Sequence, residues 1–416
     1  MTAHPVGCGC AECQNPNRLQ LVFRGKPTQN RVELFEGYSR QFRRAVDAVF
    51  AADETPELAD RLRANVSRFA AYKSVYVEGE FAKIAANQEY DAATRKAAMR
   101  AAEDRFARWT DAEYNTATAR CRTAKQFSEF LEPDNRRLFP NLQWLATRSA
   151  TPRADHAAFA GKIWPKTDPF WNSHAPGTEW NCKCDIAETD EPATDNSDVP
   201  NIEPPRGLEG NPAETGEVFT DNVGYIKNAK PEVLSFVNEC YYPDNKSALR
   251  ISVNADRREL TDNIKTGRIL AKTENVAIRP HIEQEPGKPT KNPEFLINDI
   301  IADAKRVESP NGITAGFKSA IKQNAETVII DYGNGKYKTV NGVKVPIYYN
   351  ARATAKAIND RYADFESRKI KYCYVVYNGK YVVMGSSLFR TINGNTKAAK
   401  FQRQEVIMGI LKQLNT

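Results

Sequence analysis

No apolar run in these 416 residues approaches the roughly 20 needed to cross a bilayer, so the sequence predicts no membrane-spanning helix and no membrane partner. The opening stretch MTAHPVGCGCAEC lacks the basic residues and apolar core of a secretory signal, which predicts synthesis in the cytosol. Internal repeats are missing too, and no heptad run is long enough for a coiled coil, which excludes solenoids and long rods. What remains is ordinary globular composition, 41% hydrophobic and 27% charged. A chain this long exceeds what one core supports, so two or three domains are expected.

The net charge of +7 conceals an asymmetry, because residues 264–416 hold 25 Lys/Arg against 13 Asp/Glu and the remainder holds 34 against 39. The basic surplus belongs to the C-terminal part. A local excess of positive charge favours a polyanionic partner such as nucleic acid, although a solvated basic face is the plainer reading.

Eight cysteines fall at 8, 10, 13, 121, 182, 184, 240 and 373. In a reducing compartment their clustering points to metal before disulfides. Cys8, Cys10 and Cys13, with His4 nearby, would supply three or four ligands to a tetrahedral Zn²⁺; the alternative is a flexible arm, residues 1–34, with free thiols.

Gly37 to Leu131 reads as long helices, with apolar residues three and four apart and Asp91 placed to cap the run that carries Phe106 and Trp109. Residues 188–218 change to Pro, Asp, Glu, Asn and Gly, too poor in apolar side chains to pack, and predict a disordered, semi-extended linker. Beyond it, 219–416 alternates helix and strand. The runs VAIRPHI, PEFLI, IIADAK, TVIIDY, VPIYY and KYCYVVY are β-branched or aromatic, and helical patterns near 231–240, 257–272, 313–324 and 351–364 lie before and between them. That order predicts an α+β domain with a central sheet. The tail 397–411 sets Phe401, Ile407, Ile410 and Leu411 at helical spacing, suited to packing on that sheet.

Between Arg153 and Ile186 the chain is dense in Trp, His and Cys without regular periodicity. His156, His174, Cys182 and Cys184 would bind a metal, or the region is a loop-rich knot closed by Trp164, Trp171 and Trp180. The order Arg153, His156, Gly161, Trp171, Pro176, Asn181, Cys182 and Cys184 resembles the signature of the Mu F-like minor head proteins of phages. The close match covers about 35 residues and extends more loosely over 35–187; Lys183 departs from it, standing where arginine is common. The resemblance implies a mostly α head-morphogenesis module, located in the virion and associated with portal and capsid proteins. It assigns no catalysis to these residues, and His156 with the Cys pair reads as structural, sharing a metal at most.

The segment from His281 to Lys305 carries more chemistry. Asn298-Asp299 separates two apolar runs and suits a two-residue hairpin turn. Counting back from 297 opposite 300 places Glu294 across from Asp303, with Lys305 on the same face and Phe295, Ile297, Ile300, Ala302 and Ala304 on the other, which predicts the carboxylates on an outer face and the apolar residues toward the core. Facing carboxylates repel unless a cation or a shared proton compensates. Mg²⁺ would do so, with Lys305 stabilising charge on a phosphate; a solvated acid–lysine pair at the hairpin base is the plainer alternative.

Pro293-Glu294 and Asp303-Ala304-Lys305 follow the layout of the P-(D/E)…(D/E)-x-K nucleases. Over about 255–380 the order of elements also resembles the C-terminal toxin domains of contact-dependent inhibition systems, mostly tRNA-cleaving, and the barnase, EndoU, colicin and RelE-like group. That resemblance implies a nuclease effector acting on tRNA in the host cytoplasm, with an immunity protein as partner. Glu294, Asp303 and Lys305 would be catalytic, His281 an acid or base, and Arg306 and Lys291 contacts to nucleic acid; the reaction would use Mg²⁺ or no metal. The competing expectations are a structural head protein whose basic C-terminal domain binds DNA without cutting it, and a metal-dependent DNase.

Overall fold

A computed structural model describes residues 27–50, 56–147, 154–282, 291–333, 337–340, 343–346 and 349–415. Cys8, Cys10, Cys13 and Arg153 lie outside them. The chain divides into two compact units, Met1–Cys240 and Tyr241–Thr416.

The first unit is built on three helices, α1 (Pro27–Asp47), α2 (Pro56–Ala86) and α3 (Ala92–Phe130). The Asp91 carboxylate accepts from the Thr94 N–H at 2.7 Å and caps α3 as its sequence predicts. Leu62, Val66 and Phe69 of α2 and Phe106 and Phe127 of α3 are buried as the helical spacing requires. Polar groups are buried with them, above all Lys73, whose ammonium bonds the Glu113 carboxylate at 2.5 Å.

After α3 comes a small antiparallel sheet with β1 (Asn141–Leu145) between β2 (Ile163–Pro165) and β3 (Asp185–Thr189). Trp144, Trp164, Trp171, Phe159 and Phe127 form its core. Trp164 and Trp171 are buried as expected, whereas Trp180 is partly exposed and stacks on Phe219 at 5.8 Å.

The Pro-rich stretch does not behave as a free spacer. Leu208, Val218 and Phe219 are fully buried in the first unit. The buried Arg120 guanidinium donates to the carbonyls of Leu208 at 2.8 Å and Gly210 at 3.0 Å. Asn65 accepts from the Val218 and Phe219 N–H groups at 2.8 and 2.9 Å. Composition counts side chains, but this segment is held through its backbone by donors and acceptors of the helices.

The second unit carries an eight-stranded mixed sheet, with strands β4 (Tyr241–Pro243), β5 (Arg250–Ser252), β6 (Val276–Ile278), β7 (Phe295–Ile297), β8 (Ile300–Arg306), β9 (Thr327–Asp331), β12 (Tyr372–Tyr377) and β13 (Lys380–Gly385). A separate hairpin pairs β10 (Tyr337–Val340) with β11 (Val343–Pro346). Spatial order is β13-β12-β9-β8-β7-β6-β5-β4. The expected central sheet is present; β4, β5 and β13 extend it beyond the runs picked out in the sequence.

At its centre β6, β7 and β8 form an antiparallel meander, and β9 returns parallel to β8. The β8–β9 connection is α5 (Asn311–Lys322), and α4 (Leu260–Leu270) precedes β6. On one face Val328, Ile330, Cys373 and Val375 pack with Ile313 and Phe317 of α5. Ile358 of α6 (Ala351–Asn359) and Ile407 and Leu411 of α7 (Lys397–Lys412) belong to the same core, while Phe401 stays exposed. On the other face Thr266 of α4 donates to Asp331, and Arg306 donates to Asn263 of α4 at 2.8 Å.

This layering corrects the expected outer face. Register sets Asp303 beside Val328 and Lys305 beside Ile330, so the carboxylate face is the one that α5 covers. Alternation along a strand says which residues share a face, not which face is wet.

Candidate functional site

The β7–β8 hairpin turns through Asn298 (φ 50°) and Asp299 (φ 63°), both left-handed, as a two-residue turn between twisted strands requires. Ile297 pairs with Ile300 and Phe295 with Ala302, and the same register sets Glu294 opposite Asp303. Glu294 Oε2 accepts from the Ala304 N–H at 2.9 Å, pinning the side chain across the hairpin. Asp303 is 3% exposed.

Burial, and then the neighbouring Asp303, push the Glu294 carboxyl up to about 8. Burial raises Asp303 as well, against hydrogen bonds with Glu294 and Ser319 and the charge of Lys305. Two carboxyls in contact in a dry site resist double ionisation.

Lys305 is exposed, two residues along the same face. Gly316 lets α5 close on this strand, because a Cβ there would lie 3.1 Å from Lys305 Cβ and 3.0 Å from Ile330 Cδ1. Glu294, Asp303 and Lys305 are therefore brought together. The other sequence-derived positions are not.

His281 lies beyond β6 with Nδ1 3.5 Å from Asp256 Oδ2 and its N–H bonded to the Asn254 carbonyl at 2.7 Å. No contact joins it to the carboxylate pair among the described residues. Arg306 points to the opposite face, 3.3 Å from Asp262 and bonded to Asn263. Lys291 is exposed and donates to Asn324 at 2.6 Å. Two residues that sequence reasoning missed border the acids: the Ser319 hydroxyl bonds Asp303, and Glu259, just before α4, adds negative charge to its surroundings. Ser319 lies on α5 and Glu259 at the N-cap of α4, outside the motif in sequence, so spacing gave no signal for them.

In the first unit a second group gathers. His156 rides on the short helix Ala154–Ala157, and Cys182 and Cys184 follow a turn that ends at Asn181 (φ 59°) and lead into β3. His156 Nδ1 lies 3.3 Å from Cys184 Sγ and 3.8 Å from Cys182 Sγ. His156 and Cys182 are buried, Cys184 partly so. A hydrogen bond from Cys184, then one from His156, drives the Cys182 thiol down to about 4 against its burial, while the same hydrogen bond to Cys182, and then burial, push Cys184 up. The three side chains form a group that could bind a metal. His174 does not join them: Nε2 accepts from the Ile202 N–H at 3.0 Å and Nδ1 meets the Ser173 hydroxyl at 2.8 Å.

Among known proteins the chain is 28% identical over 100 residues to the Mu-like prophage FluMu F protein of Haemophilus influenzae, 23% of this chain and 24% of that one. It is 27% identical over 73 residues to the putative capsid assembly protein F of Escherichia phage Mu, 18% of this chain and 16% of the relative. Over these stretches the chain is similar to F proteins of Mu and of a Mu-like prophage. It therefore matches about a quarter or less of the curated relatives' lengths. No family model matches the chain, and no solved structure does.

Among the described residues, no helix is long and apolar enough to cross a membrane.

Proposed function

We propose that this chain is a phage head-morphogenesis protein, carried in the virion beside portal and capsid proteins, whose C-terminal unit is a nuclease that cleaves host nucleic acid after delivery. The partial likeness to the Mu F proteins supports the first half. The second half is carried by one observation: Glu294 and Asp303 meet across a hairpin in the basic unit, with Lys305 two residues along on the same face.

A module that only bound DNA would need exposed cations and no buried pair of acids, since burying carboxylates together costs stability. A cleavage site uses them. Oxygen donors of this kind, held close and deficient in positive charge, fit a hard divalent ion such as Mg²⁺. Glu294 and Asp303 would hold it, and the ion would polarise the scissile phosphate and supply an activated water. Lys305, exposed beside them, binds a phosphate oxygen and offsets the charge that builds there. The resemblance to tRNA-cleaving toxin domains selects tRNA as the first substrate to test and a cognate immunity protein as the partner that keeps a producing cell alive.

The test is induction of the full chain and of its Lys305→Ala form in bacteria, followed by growth and by gels of tRNA and chromosomal DNA. Growth arrest with tRNA cleavage by the wild type alone supports the reading; DNA breaks instead make the unit a DNase. Equal growth with intact RNA and DNA removes nuclease action. Chelation in a cleavage assay with purified protein then decides the metal requirement.

A further inference from the structure

We propose that His156, Cys182 and Cys184 bind one zinc ion in the N-terminal unit, a site separate from the carboxylate hairpin. The three donor atoms lie within 4.8 Å of one another. Their spacing fits metal ligation. Zinc bonds of about 2.0–2.1 Å to nitrogen and 2.3 Å to sulfur, at tetrahedral angles, place N and S about 3.6 Å apart. The observed 3.3 and 3.8 Å separations from His156 Nδ1 lie on either side of that value.

The surroundings support the same chemistry. Cys182 Sγ accepts the Cys184 N–H at 3.5 Å and a backbone hydrogen bond from Gly177, the kind of support that orients a metal-bound thiolate. Gly177 is held in place by packing: it has φ +89°, and a Cβ there would meet Arg120 Cγ at 2.9 Å. Around the imidazole stand the rings of Trp144 and Phe159, centred 5.9 and 5.8 Å from it. An apolar wall of this kind favours a neutralised, ion-bound donor set over free charge.

Two thiolates and one imidazole are borderline-soft donors, which selects zinc over Mg²⁺ or Ca²⁺. They fill three positions of a tetrahedral shell and leave the fourth for water or a further donor. The ion would tie the short helix Ala154–Ala157 to the Cys182–Cys184 segment that leads into β3, and so clamp the small sheet.

Because Cys8, Cys10 and Cys13 offer a competing site, the test uses the full chain with those three replaced by serine. After zinc-supplemented expression and gel filtration, elemental analysis should find one zinc per chain, falling to none when Cys182→Ser is added. Exchange with Co²⁺ should give intense near-ultraviolet thiolate-to-cobalt absorption, lost in the same variant. A folded serine-substituted chain that carries no zinc, shows no cobalt–thiolate band and leaves Cys182 and Cys184 open to a thiol reagent, or joined as a disulfide, would overturn the proposal. If Cys182→Ser fails to fold, the cobalt spectrum of the serine-substituted parent decides alone.

Discussion

Asn65 grips Phe219 from both sides, its amide nitrogen donating to the Phe219 carbonyl at 2.8 Å and its oxygen accepting the Phe219 N–H at 2.9 Å. The same oxygen takes the Val218 N–H. One side chain of α2 thus satisfies three backbone groups of a segment more than 150 residues later in the chain.

Asn65→Ala would leave those groups buried and unpaired, and each such loss costs about 1–3 kcal/mol before relaxation. A net destabilisation of about 2–4 kcal/mol is expected, read as an earlier chemical-denaturation midpoint. Protease sensitivity should rise between residues 205 and 220 at the same time. A free linker at these positions would leave both readings unchanged.

Inside the bundle, Lys73 is fully buried and its partner Glu113 also accepts from the Tyr225 hydroxyl at 2.8 Å. Lys73→Met strands the Glu113 carboxylate in a dry interior, a loss of about 3–5 kcal/mol. Replacing both, with Lys73→Met and Glu113→Leu, should recover much of it, because the attraction of a buried pair and its desolvation nearly cancel. Denaturation curves of the single and double variants measure the difference.

The hairpin gives a pH dependence. Glu294 titrates near 4.5 when unperturbed and at about 8 in the folded unit, so folding takes up a proton between those values. Stability from this group is complete below about pH 4.5 and is lost as pH rises through about 8. Thermal melts of wild type should therefore drop over that window relative to those of Glu294→Gln, whose neutral amide keeps the protonated form's charge at every pH. Parallel curves for the two proteins would show that the carboxyl ionises as easily folded as unfolded.

Much of this hairpin was legible in the sequence. Asn298-Asp299 announced the turn, and period-2 counting set Glu294 against Asp303 with Lys305 alongside, because a tight turn leaves no freedom of register. What could not be read was the layer above. Val328 and Ile330 join the Asp303 face only through the long-range β8–β9 pairing, and α5 comes to lie on it through Gly316. His281 was grouped with the acids as a residue of the adjacent strand, yet its ring faces Asp256 at 3.5 Å. The same limit explains the 188–218 segment, whose anchors, Asn65 and Arg120, sit on helices about 90 to 150 residues earlier.

Lys305 and Asp303 share a strand face but differ in burial, and that difference separates folding from chemistry. Lys305 is exposed, so Lys305→Ala should shift stability by no more than about 0.5 kcal/mol. Its loss should nonetheless abolish cleavage, since no other lysine stands beside the pair on β8. Asp303→Asn retains the shape and removes the charge that opposes Glu294, so it should lower the Glu294 pKa and stabilise the fold at neutral pH while ending activity. A more stable, inactive Asp303→Asn beside an equally stable, inactive Lys305→Ala is the pattern of a site that spends folding free energy on function. If Asp303→Asn instead unfolds the unit and Lys305→Ala cleaves as wild type does, the acid pair is structural, and the basic surface of this unit acts by binding alone.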